Sequence, residues 1–316
     1  MLNKTIAKFS GFVILTAVAA VFFNGCAFVA SNPRKADADP RYGPPKITGT
    51  IKSADITESS GIAASKCQNN VLWTHNDSGD DAFVFAMNNR GDSLGTWRVP
   101  NAQNIDWEDI ATYKDRSGKC SIYIGEIGDN KSKRHEHLIY RIPEPIVTPA
   151  DATSDRKDPL STDNPEMLRF VYPDFDQDAE TVMVHPITGD IYVVTKRVSG
   201  PAGAYRLKPE FKNADLQKAE EITEISVPSV PNGFITGGDI SPDGRRLILC
   251  DYTQAYEFVL PESAENFEEI WRQEPETIEI GRRAVGEAVC YSIDGTSIFA
   301  TSERLNSPLI ELHRRK

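Results

Sequence analysis

Asn104-Ile105-Asp106-Trp107-Glu108-Asp109-Ile110-Ala111 is the stretch whose reading decides the fold. Taken alone, its acids and apolar residues read as a helix start. Degenerate copies elsewhere in the chain overturn that reading. They are Glu58-Ser59-Ser60-Gly61-Ile62-Ala63, Asp178-Ala179-Glu180-Thr181-Val182, Thr236-Gly237-Gly238-Asp239-Ile240 and Gly286-Glu287-Ala288-Val289. Each copy opens a short apolar run, then a turn, then a second β-rich run. Aligning the copies puts Ser60, Glu108, Glu180, Thr236 and Glu287 at one structural position, at steps of 48, 72, 56 and 51 residues. A period near fifty with four strands per copy predicts a β-propeller.

The flanking segments support this. Residues 61–65, 71–75, 83–87 and 93–99 read as four strands of one blade, separated by Gly-, Asn- and Asp-rich turns. The last copy lacks a fourth strand, and residues 46–52 form a spare strand ahead of the first copy. Pairing the two would close the ring and remove an exposed edge. The expectation is an all-β propeller of five four-stranded blades over residues 46–316, closed by the N-terminal strand. Six blades follow if the 72-residue step hides a divergent copy, and a pair of β-sandwiches is the competing architecture. Residues 143–166, rich in Pro, Asp, Ser and Thr, are expected to be a poorly ordered insertion.

The chain of 316 residues is 40% hydrophobic, enough for a packed core, and its 21 Gly and 20 Pro are turn chemistry. Its net charge of −11 argues against nucleic-acid binding, which needs basic surface. At the N-terminus Lys4 and Lys8 precede an uncharged run over residues 9–23 and then Gly25-Cys26. Residues 1–25 therefore read as a lipoprotein-type signal peptide, with Cys26 acylated and residues 26–45 a tether. The expected location is the periplasm or outer membrane, with the cell surface also open, held to the membrane by the N-terminal lipid. Export implies an oxidising compartment. Cys67 and Cys120 fall in the first hairpins of adjacent blades and are expected to pair, while Cys250 and Cys290 read as free buried thiols.

A propeller gathers its inner-strand starts and the loops after its second strands on one face. Here the former supply Glu58, Asp106, Glu108, Asp178, Glu180, Asp239 and Glu287. The latter supply His75, Asn76, Asp77, Glu126, Asp129, Asn130, Lys196, Arg197, Asp251, Glu303 and Arg304. Converging carboxylates must bind protons or a cation. Oxygen donors without Cys and with little His favour Ca²⁺, with Glu108, Glu180 and Glu287 as ligands. The alternative is that each Glu caps backbone amides and joins blades. His75, Asn76, Asp77, Asp129, Asn130, Lys196, Arg197, Asp251 and Arg304 are the candidate ligand-binding residues, and the three cations among them suit an anion. No nucleophile elbow, P-loop or dinucleotide fingerprint occurs.

Glu58-Ser59-Ser60-Gly61-Ile62, His75-Asn76-Asp77-Ser78-Gly79, Asp106-Trp107-Glu108-Asp109-Ile110 and Asp178-Ala179-Glu180 resemble motifs of bacterial secreted propellers of the SdiA-regulated and phytase-like groups. The similarity spans roughly residues 54–304. It implies a calcium-bearing channel with Glu108 and Glu180 as ligands, and phosphoesterase activity in some relatives. The leading functional expectation is a module that binds a small ligand or an envelope protein. The alternative is a calcium-dependent phosphoesterase in which Lys196, Arg197 and Arg304 hold the phosphate.

Overall fold

The computed structural model describes residues 41–211 and 215–315. The signal peptide over residues 1–25, Cys26 and the tether up to residue 40 lie outside the described residues. β1 (Lys46–Thr50) comes first. Blade 1 contains β2 (Ser59–Ala64), β3 (Leu72–Asn76), β4 (Phe83–Met87) and β5 (Ser93–Arg98). Blade 2 contains β6 (Trp107–Lys114), β7 (Cys120–Glu126), β8 (His137–Pro143) and, after the short β9 (Leu160–Ser161), β10 (Glu166–Val171). Blade 3 contains β11 (Ala179–Val184), β12 (Ile191–Thr195), β13 (Ala202–Leu207) and, after β14 (Leu216–Lys218), β15 (Glu220–Ile225). Blade 4 is β16 (Gly237–Ile240), β17 (Arg246–Cys250), β18 (Ala255–Val259) and β19 (Glu276–Ile278). Blade 5 is β20 (Ala288–Tyr291), β21 (Ser297–Thr301) and β22 (Pro308–His313), with β1 antiparallel to β22 as its fourth strand. There are five blades, and the N-terminal strand closes the ring.

Alternation along the strands builds the core. Leu72 packs between blades 5 and 1, and its neighbour Trp73 packs between blades 1 and 2. Each of the five blade interfaces carries one buried cluster. Full burial of one such side chain contributes about 1.5–3 kcal/mol. Every blade therefore depends on both neighbours, and none is an independent unit.

Residues 143–166 correct the expectation of a disordered insertion. Trp73 Nε1 donates to Glu144 Oε1 at 2.9 Å, and Thr96 N–H to Ser154 Oγ at 2.8 Å. β9 then pairs in parallel with β5. The polar residues that suggest disorder are spent on the edge of blade 1. The end of the predicted tether is corrected too. Tyr42 is 2% exposed, donates from its hydroxyl to Glu257 Oε1 at 2.7 Å and bridges to Arg314. An aromatic ring there is covered by blades 4 and 5, so the folded domain begins before residue 46. Cys67 and Cys120 form a disulfide, and Cys250 and Cys290 are free and buried.

Candidate functional site

The inner strands β2, β6, β11, β16 and β20 pack side by side around the central channel. Three of them are irregular at the aligned position. The register of β2, β6 and β11 with their second strands shifts between Ser59 and Ile62, Trp107 and Asp109, and Ala179 and Thr181. A bulge re-aims the side chain that it carries. In blade 1 the re-aimed residue is Ser60, whose hydroxyl donates to Glu108 O of the next blade at 2.8 Å. Thr236 does the same for blade 4, donating to Gly286 O at 3.0 Å. In blades 2 and 3 the residue is a glutamate, and the carboxylates meet.

Two trios result. Ligand oxygens of Asp77, Asp106 and Glu108 lie within 4.8 Å of one another, as do those of Glu108, Asp178 and Glu180. Glu108 belongs to both. It is 3% exposed, and no hydrogen-bond donor among the described residues reaches its carboxylate. The loop after β7 wraps the cluster closely. A Cβ on Gly128 would stand 2.0 Å from Glu108 Oε1 and 2.6 Å from the Asp106 carboxyl carbon, so any larger residue must push these carboxylates aside. Glu126 fixes the turn below by accepting from the N–H groups of Ile105 and Asp106 at 2.8 and 3.0 Å and from Arg134 at 2.6 Å.

The electrostatics follow from crowding. Burial, with Asp77 and Glu126 adding to it, pushes Asp106 up to about 6. Burial, then Glu180, Asp77 and Asp106, holds Glu108 well above the usual carboxylate range. Burial lifts Glu180 to about 7 against the opposing pull of Lys196, whose ammonium pairs with it. One ammonium does not neutralise five acids. A partly buried oxygen-only donor set, an unpartnered carboxylate and a glycine cradle fit a hard cation such as Ca²⁺.

The predicted residues divide sharply. Asp77, Glu108 and Glu180 are in the trios. Glu287 lies outside both trios, with Glu180 and Glu303 as its charged neighbours. Burial, then the adjoining Glu303 carboxyl and the Glu180 charge, push it up to about 10. Asp178, which completes the second trio, is oriented at 2.7 Å by the Asp129 N–H. Asp129 spends its own carboxylate on the N–H groups of Lys133 and Arg134. His75 is fully buried, with Nδ1 2.9 Å from Asn76 O and its ring edge-on to Trp107. Asn76 is consumed by Thr57, Glu58, Asp55 and Asp80. Asp251 accepts from Thr253, Gln254 and Tyr256. These three build loops, because a polar side chain at a strand end finds backbone donors nearby.

The expected anion triad is not assembled either. Lys196 pairs with Glu180. Arg197 lines the same cleft as Lys196 but holds Glu224, Gln177 and Pro201 O. Arg304 sits exposed on the loop before β22 with φ 85°. Asp239 lies deeper than expected, accepting from Tyr291 N–H at 2.9 Å and facing Lys66 at 3.9 Å. Sequence reasoning missed its counterpart Asp109, which accepts from Val182 N–H at 3.0 Å and so ties blade 2 to blade 3. It also missed Tyr252, an aromatic within a turn.

Tyr252 matters because it walls two clefts. One, of about 510 Å³, runs from Asn130 past Phe175, Asp178, Lys196 and Phe234 to Tyr252. The other, of about 380 Å³, continues beyond Phe234 and Tyr252 to Ser229 and Gln254. The two rings meet edge-on with centroids 4.9 Å apart.

Fold and site together define a five-bladed β-propeller with an acidic channel mouth beside an aromatic cleft. No protein-family profile matches the chain, and no curated protein matches it in sequence. Among solved structures it is similar to XC5397 from Xanthomonas campestris, described as a gluconolactonase important in glucose secondary metabolic pathways. The two share 14% identity over 89% of this chain and 96% of that one, with a TM-score of 0.48. That likeness concerns strand arrangement alone and carries nothing about chemistry.

Proposed function

We propose that this chain is an exported, lipid-anchored propeller of the cell envelope that binds Ca²⁺ at its channel mouth and a small ligand in the adjoining cleft. One observation carries the reading: two carboxylate trios share the buried, unpartnered carboxylate of Glu108. Binding Ca²⁺ there would relieve the repulsion that otherwise keeps these acids partly protonated. The Cys67–Cys120 disulfide supports an oxidising compartment, and the motif resemblance to SdiA-regulated and phytase-like propellers supports a calcium channel. When bound, Ca²⁺ supplies a fixed positive charge that orients and polarises a ligand oxygen. Glu108, Asp178 and Glu180 would hold it, Gly128 keeps the space open, and the cleft receives the ligand.

Elemental analysis and calcium titration of the purified full-length protein test the reading. About one Ca²⁺ per chain, lost in Glu108→Gln, is the expected result. No binding by a folded wild type would sink it.

A hydrolase reading has one observation in its favour. Asp106 sits against Glu108 with its carboxyl near 6, where a general acid or base works at neutral pH. Turnover of a phosphomonoester or lactone panel that EDTA abolishes, and that Asp106→Asn slows at least about a hundredfold, would establish it.

A further inference from the structure

We propose that Lys196 is a built-in counter-ion that Ca²⁺ displaces from Glu180 into the neighbouring cleft, where its ammonium receives the carboxylate of an aromatic anion. The inference rests on the calcium reading above and adds to it a ligand class and a coupling between the two ligands.

Lys196 stands at the boundary of two environments. Its ammonium pairs with Glu180, a member of the trio that would hold the ion. The same side chain lines the 510 Å³ cleft, and only 12% of it is exposed. A divalent cation among Glu108, Asp178 and Glu180 would share the Glu180 carboxylate with Lys196. Like charges at that separation repel strongly in a buried site. The two cations therefore compete, and the ammonium, on a flexible four-carbon stem, is the one that can leave.

Its way out is defined. Nζ already lies 5.7 Å from the Phe234 ring centroid, within reach of a cation–π contact, and Phe234 forms a wall of the cleft. Among the described residues lining the cleft Arg197 is the other cation, its guanidinium 5.9 Å from the Phe175 ring centroid. It is held by Glu224, Gln177 and Pro201 O. A Lys196 that turns into the cleft brings one unpaired positive charge among three rings, Phe175, Phe234 and Tyr252, and Phe175 is 62% exposed. One ammonium and aromatic walls select a ring carrying a single negative charge. A dianion meets a stronger penalty from the acids at the mouth.

Metal and anion then bind with positive coupling, and by linkage each tightens the other equally. Calorimetric titrations of full-length protein with Ca²⁺ and with phenylacetate, each alone and with the other present, measure that coupling. In the wild type, saturating Ca²⁺ is expected to tighten phenylacetate about tenfold, with the reciprocal effect on Ca²⁺. Lys196→Met removes the competing charge, so it should bind Ca²⁺ about tenfold more tightly while phenylacetate binding no longer responds to Ca²⁺. Lys196→Gln should behave alike, and circular dichroism verifies that both variants fold. Calcium-dependent phenylacetate binding that survives in both variants would mean that the anion is held by the ion itself and would overturn the proposal. So would variants that bind Ca²⁺ no more tightly, or a wild type that binds Ca²⁺ with no effect on phenylacetate. A wild type that binds no Ca²⁺ removes the functional reading and this inference together.

Discussion

The backbone N–H of Asp129, in blade 2, donates to Asp178 Oδ1, in blade 3, at 2.7 Å. A loop of one blade thus aims a carboxylate of the next. The loop keeps its shape because the Asp129 carboxylate accepts from Lys133 and Arg134. Asp129→Ala should loosen the loop and weaken Ca²⁺ binding about tenfold, with a thermal midpoint within a few degrees of wild type. Calcium titration paired with a melting curve checks this. A large loss of stability at unchanged affinity would show the loop to be structural only.

Gly128 offers a steric test of the same cluster. A methyl group there meets Glu108 Oε1 at 2.0 Å, and the carboxylates must move apart. Gly128→Ala is expected to abolish detectable Ca²⁺ binding and to cost about 1–3 kcal/mol by overpacking. Chemical denaturation and titration of one preparation separate the two effects.

Asp106 predicts a pH dependence in calcium-free protein. Its carboxyl is raised from an ordinary 3.8 to about 6, so the folded state favours the protonated form. Stability from that preference is present below about pH 4 and is lost as pH rises through 6. Asp106→Asn cannot lose it. In EDTA the variant should match wild type near pH 4 and exceed it above pH 7 by about 1 kcal/mol, a figure reduced because the group is partly exposed. Melting curves across pH 4–8 decide, and a constant difference between the two proteins would refute the assignment.

The Cys67–Cys120 bond joins the loop after β2 to the start of β7, on the face opposite the mouth. Reducing it, or replacing both cysteines by serine, should cost about 2–4 kcal/mol and leave Ca²⁺ affinity unchanged. Equal calcium isotherms with a lowered melting temperature are the expected pair of results.

Much of the architecture is legible in the sequence because blades are local. The degenerate copies around Glu58, Glu108, Glu180, Asp239 and Glu287 each announce an inner strand, and Gly- and Asp-bearing turns mark the hairpins. β9 was not legible, since two residues make no period and their partners are Trp97 and Arg98 of blade 1. Mouth chemistry was half legible. Period-two reasoning puts Asp178 and Glu287 on one face, but it cannot tell which acid a bulge turns inward or which a neighbour such as Glu303 engages. His75, Asn76 and Asp251 misled for one reason. Polar side chains at strand ends serve binding sites and loop backbones alike, and only the donors within reach distinguish the two.

Ring closure has a consequence for how the protein is made. Lys46 pairs with Glu311, and Tyr42 with Arg314, so the first folded strand waits for β22. Until β22 emerges, blade 5 has two strands and an open edge, and the clusters on both of its flanks are incomplete. Edges and half-built cores of that kind pair with other chains. A nascent propeller of this design therefore needs shielding from its neighbours until β22 is made, and loss of β22 alone would leave an unclosed ring.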